Sequence, residues 1–586
     1  MTSTTFFLEA PRRLRAFVRA RETSLVLIAA LIGALSGLLT AAMSAAVNLL
    51  HDVFFHLHYG ERLSAQPSID PLRALLVPGL GGFLLGLTFL VLLRWRPSRE
   101  IDPIEANALH GGRMSFRGSV IVALQTIWSS GVGASVGLEA GYTQLGSGVA
   151  ASIGRAFHLR RADQRIIVGC GAAAAIAGAF EAPLSGAFYA FELIVGGYTP
   201  ASLTPIGVSA LAGFVVAKAF APLSLGIVVN QIGEVRNEDL AIATLLGVLA
   251  AMAGIAIMRG VALTEAALGK TGLWPPLRPA LGGLIVGALA LITPQVLSSG
   301  HGALHLSSLF GSPLTWIATV FVLKAVASII SLGSGFRGGL FFASLLLGAL
   351  GGEMFAKTLN MLWPTLYLDP TLYSVVGMSA LSASVIGGPL TMSFIALEAT
   401  GNLWLTTAVL IAVIISTQLT RELFGYSFAT WRMHLRGETI RSAADVGWIR
   451  DLTVSAMMRR DFATVELGVP VDEFLTRFPL ASWTQVVAVD AGGDYAGIIV
   501  VADAHGASDR KVKSLAEILR NPATTLLPQM NIREAAAAFD HAEAEALAVI
   551  ESADRRKVIG LLTEAYTLRR YAEESERRRR DILGET

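Results

Sequence analysis

One carboxylate lies among glycine, alanine and serine in the stretch GVGASVGLEAGYTQLGSG, residues 131–148. This residue, Glu139, has apolar sequence on both sides. A partly desolvated carboxylate can be controlled by protons, and beside helix N-termini it competes with an anion for the same N–H groups. The stretch therefore marks Glu139 as a candidate functional carboxylate. Capping of a helix, or contact with lipid headgroups, is the alternative interpretation.

Three segments are candidate helix starts around such a site: residues 137–141, residues 335–339 and the turn at residues 102–105. A helix N-terminus offers free N–H groups and about half a positive charge, so several aimed at one point bind an anion without lysine or arginine. Conduction requires binding weak enough for release, which a full cation would prevent. Glycine in these segments allows the backbone to approach a ligand closely.

The elements that carry these segments are predicted to lie in a membrane. Of the 586 residues, 53% are hydrophobic and only 15% are charged, which excludes an ordinary soluble domain. Apolar runs long enough to cross about 30 Å of hydrocarbon lie near residues 24–50, 72–94, 202–222, 239–260, 314–332 and 403–420. Shorter, interrupted runs predict broken helices, which are tolerated only beside protein or a water-filled cavity. They lie near 118–136, 145–157, 166–180, 183–195, 338–357, 373–386 and 389–400.

The membrane region also repeats. PLSGAFYAFE at 183–192 matches PLTMSFIALE at 389–398, with Pro, Leu, Phe, Ala and Glu at the same offsets. In a slightly different register, SSGVGASVGLEAGYTQLGSG pairs with GSGFRGGLFFASLLLGALGG. Two halves with broken helices at corresponding positions predict a pseudo-symmetric transporter whose site lies where the halves meet. The sequence leaves open whether the halves are inverted.

From about residue 446 the composition changes to frequent charges and strand-length apolar runs. TQVVAVD, YAGIIVV, LAVIES and KVIGLLT alternate with the helical stretches VDEFLTRF and IREAAAAFDHA. This pattern predicts a soluble α/β module present twice. The arginines before the first span predict a cytoplasmic N-terminus without a signal peptide. The net charge of +2 gives no indication of a nucleic-acid partner.

Taken together, GLEAGYTQLGSGVAASIGR, GAAAAIAGAFEAPLSGAFYAFE, GSGFRGGLFFASLLLGALGG and VGMSALSASVIGGPLTMSFIALEATGNL resemble, in order, the motifs of the CLC chloride channels and chloride/proton exchangers. The C-terminal double module resembles the paired CBS domains of many members. The resemblance implies an all-α polytopic membrane protein of inverted repeats with broken helices, followed by an α/β CBS pair. It also implies a homodimer in the inner or plasma membrane, with an anion pathway in each subunit and both termini cytoplasmic.

The resemblance divides the chain into several parts. They are a cytoplasmic segment at 1–23, a transport domain at 24–440 with repeats at about 24–225 and 239–430, a CBS pair at 446–572 and a charged tail at 573–586. In the transport domain Glu139 takes the position of the external gating glutamate. The backbone around it and around the second filter segment would bind the anion, at Gly137, Leu138, Ala140, Gly141, Leu340 and Phe341.

The inner gate departs from the family pattern. The filter motif that should fall in PSREIDPIEANAL lacks its glycines, and its serine has a counterpart only if Ser98 serves in a shifted register. Ala429 stands at the position of the pore tyrosine. Tyr426 lies one helical turn earlier and would substitute only if that region is helical. The altered filter leaves fluoride, bicarbonate or nitrate open as alternatives to chloride.

The proton pathway departs as well. Exchangers of the family carry a Glu-Glu pair whose second member is the internal glutamate, and here the pair reads Glu192 and Leu193. Glu192 is a candidate relay, but Glu398 occupies the same place in the second repeat, which favours a shared structural role equally. Glu181 is a second candidate carrier and is equally suited to facing a water-filled vestibule. A channel and a proton-coupled exchanger both remain open.

Other candidate sites are weaker. The CBS-like modules keep Asp503 in one half and Thr563 in the other, so an adenine nucleotide is possible while dimer packing is favoured. His301 and His305 have i, i+4 spacing without a third ligand, so no metal is predicted. The spans contain no metalloprotease or serine-hydrolase motif, which argues against a membrane enzyme. A ligand sensor with a vestigial pore is the remaining alternative.

Overall fold

The computed structural model divides the chain into a helical unit, Met1–Asp445, and an α/β unit, Val446–Thr586. The structure describes residue 11 and residues 22–58, 60–95, 100–221, 233–304, 312–434, 452–507 and 514–583. Most of the predicted cytoplasmic segment therefore lies outside the described residues.

The first repeat of the helical unit contains eight helices before residue 221. They are α1 (Glu22–Phe55), α2 (Pro71–Trp95), α3 (Pro103–Leu109), α4 (Phe116–Gly131), α5 (Glu139–Ala156), α6 (Arg161–Phe180), α7 (Pro183–Tyr189) and α8 (Pro200–Phe220). Helix α7 continues as a turn of π-helix, Ala190–Val195. The predicted broken segments of this half are thus helices of 7 to 20 residues.

The second repeat follows the same plan. Its helices are α9 (Asn237–Lys270), α10 (Leu277–Ala290), α11 (His301–Leu304), α12 (Leu314–Ser334), α13 (Phe341–Leu362), α14 (Pro370–Ile386), α15 (Pro389–Thr400), α16 (Leu403–Leu423) and α17 (Phe428–His434). The sequence analysis did not predict α10. Within the described part of the chain, seven helices are long and apolar enough to cross a membrane.

Equivalent helices of the two repeats make equivalent contacts. Helix α5 packs on α6 as α13 packs on α14, and α6 packs on α8 as α14 packs on α16. At the first crossing Gly146 and Gly171 approach so closely that a Cβ on either would overlap the backbone of the other. Gly348 and Gly377 repeat this contact at the second crossing. The glycines therefore let two broken helices pack backbone to backbone in each half.

The α/β unit holds two sheets. In the first, β1 (Thr464–Glu466) pairs in parallel with β2 (Gln485–Val489), which pairs antiparallel with β3 (Tyr495–Val500). In the second, β4 (Ala546–Ile550) and β5 (Val558–Thr563) are antiparallel. The helices are α18 (Val454–Met457), α19 (Val471–Arg477), α20 (Val501–Ala507), α21 (Ile532–Ala542) and α22 (Glu564–Leu583). The predicted doubled α/β module is confirmed, and a shared apolar cluster that includes Tyr495 and Ile550 joins the two sheets.

Candidate functional site

Two helix starts, one from each repeat, meet at the centre of the helical unit. Helix α5 begins at Glu139 and α13 begins at Phe341, and each follows a Gly-Leu pair. The glycines of these pairs are joined by reciprocal hydrogen bonds, with Gly137 N donating to Gly339 O at 2.9 Å and Gly339 N to Gly137 O at 3.1 Å. This bridge brings the free N–H groups of two helix starts to one place, as an anion site requires.

The Glu139 carboxylate occupies that place. Its Oε1 accepts a hydrogen bond from the Phe341 N–H at 2.5 Å, and only 5% of the residue is exposed. A Cβ on Gly137 or Gly339 would overlap one of the two carboxylate oxygens. Glycine is therefore required at both positions for the backbone to enclose a charged ligand this closely. The predicted convergence of Glu139, Leu340 and Phe341 is what the structure contains.

Two cavities flank this pair of helix starts. The smaller, of about 60 Å³, is lined on the site's side by Leu138, Tyr142 and Phe342. The larger, of about 170 Å³, is lined by Glu139, Ala140, Leu340 and Phe341, among others. Since one water takes up about 30 Å³ in the liquid, the larger cavity has room for several waters or a partly hydrated anion. The filter segments thus form the wall between the two cavities, and Glu139 lies in that wall.

The larger cavity also holds four charged side chains that the sequence analysis did not assign together. They are Glu100, Asp102, Arg337 and Arg432. The Asp102 carboxylate caps α3 by accepting from Ile104 N at 2.8 Å, so the third predicted helix start does border the site. The Arg337 guanidinium lies 5.4 Å from the centre of the Phe89 ring. Together with Glu139, three acids and two bases therefore line this cavity.

The predicted inner-gate residues do not all line the larger cavity. Ala429 lines the larger cavity. Tyr426 does not, and the prediction that it could substitute is wrong because the chain is not helical at residues 425–427. Its hydroxyl instead bonds His434 Nδ1 at 3.0 Å. Ser98 lies outside the described residues. Gly141 faces Met43 and Thr126 rather than the Glu139 carboxylate.

Glu192 and Glu398 cap each other's repeat. Glu192 accepts from Leu390 N and Thr391 N, both at 2.9 Å, and from Thr391 Oγ1 at 2.6 Å. Glu398 accepts from Leu184 N at 2.8 Å, Ser185 N at 2.9 Å and Ser185 Oγ at 2.6 Å. The two sets of distances differ by at most 0.1 Å. Each carboxylate thus satisfies the free N–H groups at the start of a helix in the other half, which is the shared structural role.

Glu181, the other candidate carrier, ends helix α6 in the left-handed conformation, at φ 53°. Its carboxylate lies 3.5 Å from Lys218 Nζ. Neither Glu181 nor Glu192 lines the larger cavity, whereas Leu193 does. The structure therefore does not bring the two predicted proton carriers to Glu139.

The remaining predicted positions carry fixed contacts. In the α/β unit Asp503 forms an ion pair with Arg520, and the Thr563 carbonyl accepts from Thr567 Oγ1 at 2.9 Å. In the helical unit the His301 ring packs 4.8 Å from the Phe342 ring, while His305 lies outside the described residues. Among the residues that are described, His, Cys, Asp and Glu form no group of three that could hold a metal ion.

Comparison with known proteins adds independent information. A family model described as voltage gated chloride channel matches residues 94–421. The voltage-gated ClC-type chloride channel ClcB of Escherichia coli O9:H4 is 30% identical over 383 residues, covering 64% of this chain and 90% of that protein. The structure of a slow cyanobacterial Cl⁻/H⁺ antiporter is 22% identical with a TM-score of 0.61, covering 70% of this chain and 97% of its own. The structure of a eukaryotic CLC transporter is 19% identical with a TM-score of 0.60, covering 94% of this chain and 98% of its own. These two structures share the fold.

Proposed function

The chain belongs to the CLC family of chloride channels and antiporters, multi-pass membrane proteins that transport rather than catalyse, and from that premise we propose that it moves chloride through a pathway gated by Glu139. One observation carries the proposal: the Glu139 carboxylate accepts the Phe341 N–H in a glycine-lined niche between two cavities. A carboxylate and a halide have the same charge and need the same donors, so only one of them occupies the niche at a time.

Gating then follows from protonation. The ionised carboxylate holds the Phe341 amide and closes the wall between the cavities. Protonation removes its charge and weakens its bond to the amide, because charge-assisted hydrogen bonds are about twice as strong as neutral ones. A chloride ion entering from the larger cavity then takes over the N–H groups of the two helix starts. These backbone donors carry no full charge, so they bind the ion weakly enough to release it again.

We further propose that proton transfer through Glu192 or Glu181 is not part of transport. Each Glu192 oxygen accepts hydrogen bonds from the start of α15, and Glu181 is paired with Lys218. At the position of the family's internal glutamate the cavity wall is the apolar Leu193. Chloride gradients are therefore expected to drive no uphill proton movement. If they do, Asp102→Asn and Glu100→Gln identify which cavity carboxylate replaces the internal glutamate.

Anion efflux from proteoliposomes tests the gate. Vesicles loaded in turn with chloride, fluoride, nitrate or bicarbonate are compared for wild type, Glu139→Gln and Glu422→Gln, with external pH recorded. Glu422 is exposed on α16 and, within the part of the chain that the structure describes, accepts from Gln418 at 2.9 Å, so it is the matched control. We expect chloride efflux in all three and faster efflux at neutral pH only in Glu139→Gln. If fluoride, nitrate or bicarbonate leaves the vesicles but chloride does not, the transported ion is that anion and not chloride. If no anion leaves them, the proposal is contradicted.

We also propose a homodimer with both termini in the cytoplasm, which the family resemblance supports. Light scattering of the detergent-solubilised protein gives the number of chains per particle. Cysteine labelling from outside the cell tests the orientation, since Cys170 is buried and is the chain's single cysteine. A monomer, or a labelled cysteine placed at the C-terminus, would contradict this assignment.

A further inference from the structure

We infer that Tyr189 supplies the hydroxyl that binds the permeating anion in the larger cavity, which Ala429 also lines. The inference rests on the proposed function, because it names a group that acts on the transported ion. Tyr189 is the last residue of α7 and lines the cavity together with Glu139 and Ala429. None of the sequence motifs marked this residue as a site.

The Tyr189 side chain is held in one position. Its ring lies parallel to the Phe341 ring, with an interplanar angle of 11° and centroids 6.2 Å apart. Thr143, one helical turn after Glu139, lines the same cavity, and its Oγ1 donates to Glu139 O at 2.9 Å. Since a hydroxyl has a single hydrogen, Thr143 has no second hydrogen to offer an anion.

Among the described residues that line this cavity, four have a neutral side-chain donor: Thr126, Thr143, Gln144 and Tyr189. Three of them are committed to backbone carbonyls. Thr126 donates to Val122 O at 2.8 Å, Thr143 to Glu139 O at 2.9 Å and Gln144 to Ile101 O at 2.9 Å. The contacts of the described residues include no backbone carbonyl that accepts from the Tyr189 hydroxyl, so this hydroxyl can turn toward an anion without breaking a backbone bond.

The surroundings suit this task. The Ala429 methyl group leaves open the space that a large side chain would fill, and Leu193 is apolar. The other phenol of this region, on Tyr426, is bonded to His434 outside the cavity. A phenol donates a hydrogen bond to an anion without adding a fixed charge, so the ion is held loosely enough to leave. The ligand class is therefore a small monovalent anion such as chloride or bromide.

Calorimetric titration of the purified full-length protein with chloride and bromide tests the inference. Glu139→Gln is the parent, because the neutral amide leaves the niche available to the ion. Adding Tyr189→Phe keeps the ring and removes the hydroxyl, and loss of one hydrogen bond to a charged group is expected to raise Kd about tenfold. The matched control, Tyr426→Phe in the same parent, removes an equal hydroxyl outside the cavity and should leave Kd within about twofold.

A third variant separates hydrogen bonding from packing. In the Glu139→Gln, Tyr189→Phe protein, Ala429→Tyr adds a phenol at another position in the lining of the same cavity and should recover affinity. Unchanged binding in Tyr189→Phe, an equal loss in Tyr426→Phe, or a loss that Ala429→Tyr does not reverse would each overturn the assignment. If neither wild type nor Glu139→Gln binds or moves any halide, the proposed function itself fails and the Tyr189 assignment falls with it.

Discussion

The two filter segments are nearly identical in backbone and differ in one side chain. Gly137-Leu138-Glu139 and Gly339-Leu340-Phe341 both place a helix start at their third residue. Only the first carries a carboxylate there, and this carboxylate binds the bare N–H of the second. The repeated backbone brings the N–H donors of two helix starts to one point. The Glu139 carboxylate, present in one repeat only, can accept hydrogen bonds from them.

The glutamates at the ends of the repeated PL…E motif behave differently. Glu192 and Glu398 occur in both repeats, and each caps the helix of the other with the same three contacts. A group that appears twice and bonds reciprocally stabilises the association of the halves. In this protein, therefore, the glutamates present in both repeats hold the two halves together, whereas Glu139, present in only one repeat, is the candidate for gating.

The largest effect is expected from removing the asymmetric carboxylate. Chloride efflux in wild type should rise as pH falls, because protonation frees the niche, and one titrating group permits at most about tenfold per pH unit. In Glu139→Gln the niche is free at every pH, so efflux should be high and flat. Efflux measured in proteoliposomes across a pH series gives the slope. An equal slope in both proteins would place the pH-sensitive group elsewhere.

A smaller effect is expected from closing the niche itself. Gly339→Ala adds a Cβ that overlaps the Glu139 carboxylate, and an anion in the same niche meets the same obstacle. Halide affinity should fall about tenfold or more, since overpacking a tight site costs roughly 1–3 kcal/mol. Gly351→Ala is the control, because its Cβ meets only the Phe321 ring at 3.4 Å. Equal affinity in both variants, measured by calorimetry, would contradict the niche.

Much of this architecture was predictable from the sequence. The apolar runs predicted the long membrane-spanning helices. The repeated motifs predicted that residues 137–141 and residues 335–341 lie close together. Helix α10 was missed because LRPALGGLIVGALA, Leu277–Ala290, is short and rich in glycine. The substitution by Tyr426 was wrong because it assumed a helix through residues 425–427. Gly425 adopts φ 87° there, which ends the helix before Tyr426.

The wall of the larger cavity was not predictable. Tyr189, Arg337 and Arg432 come from three segments separated by about 100 residues or more, and the crossing of broken helices decides which of their side chains share a space. The hydrophobic periodicity within one segment gives no information on how these helices cross. A signal was present in part, because Arg337 stands two residues before Gly339 inside a filter motif. The sequence did not indicate that Tyr189, in an otherwise apolar helix, faces the same cavity.

The symmetric pair should give equal and purely structural effects. Glu192→Gln and Glu398→Gln each replace one accepting oxygen by an amide nitrogen, so each is expected to lower the free energy of unfolding by about 1–2 kcal/mol. Chloride affinity and the pH slope of efflux should stay as in wild type. Thermal unfolding in detergent and efflux assays measure the two properties. If Glu192→Gln changed the pH slope of efflux and Glu398→Gln did not, Glu192 would have a role in transport in addition to capping the helix of the other repeat.

The smallest effect is expected in the α/β unit, whose two modules also differ. Asp503 is paired with Arg520, but both side chains are largely exposed, at 44% and 61%, so Asp503→Asn should change the free energy of unfolding by less than about 1 kcal/mol. A nucleotide bound at one hundred times its Kd would stabilise the folded state by about 2.7 kcal/mol. Melting of the full chain with and without ATP therefore separates the two roles. We expect no shift, because Asp503 and Thr563 each keep half of a nucleotide motif and belong to different modules. If ATP raised the melting temperature and Asp503→Asn abolished that rise, the module that keeps Asp503 would bind nucleotide.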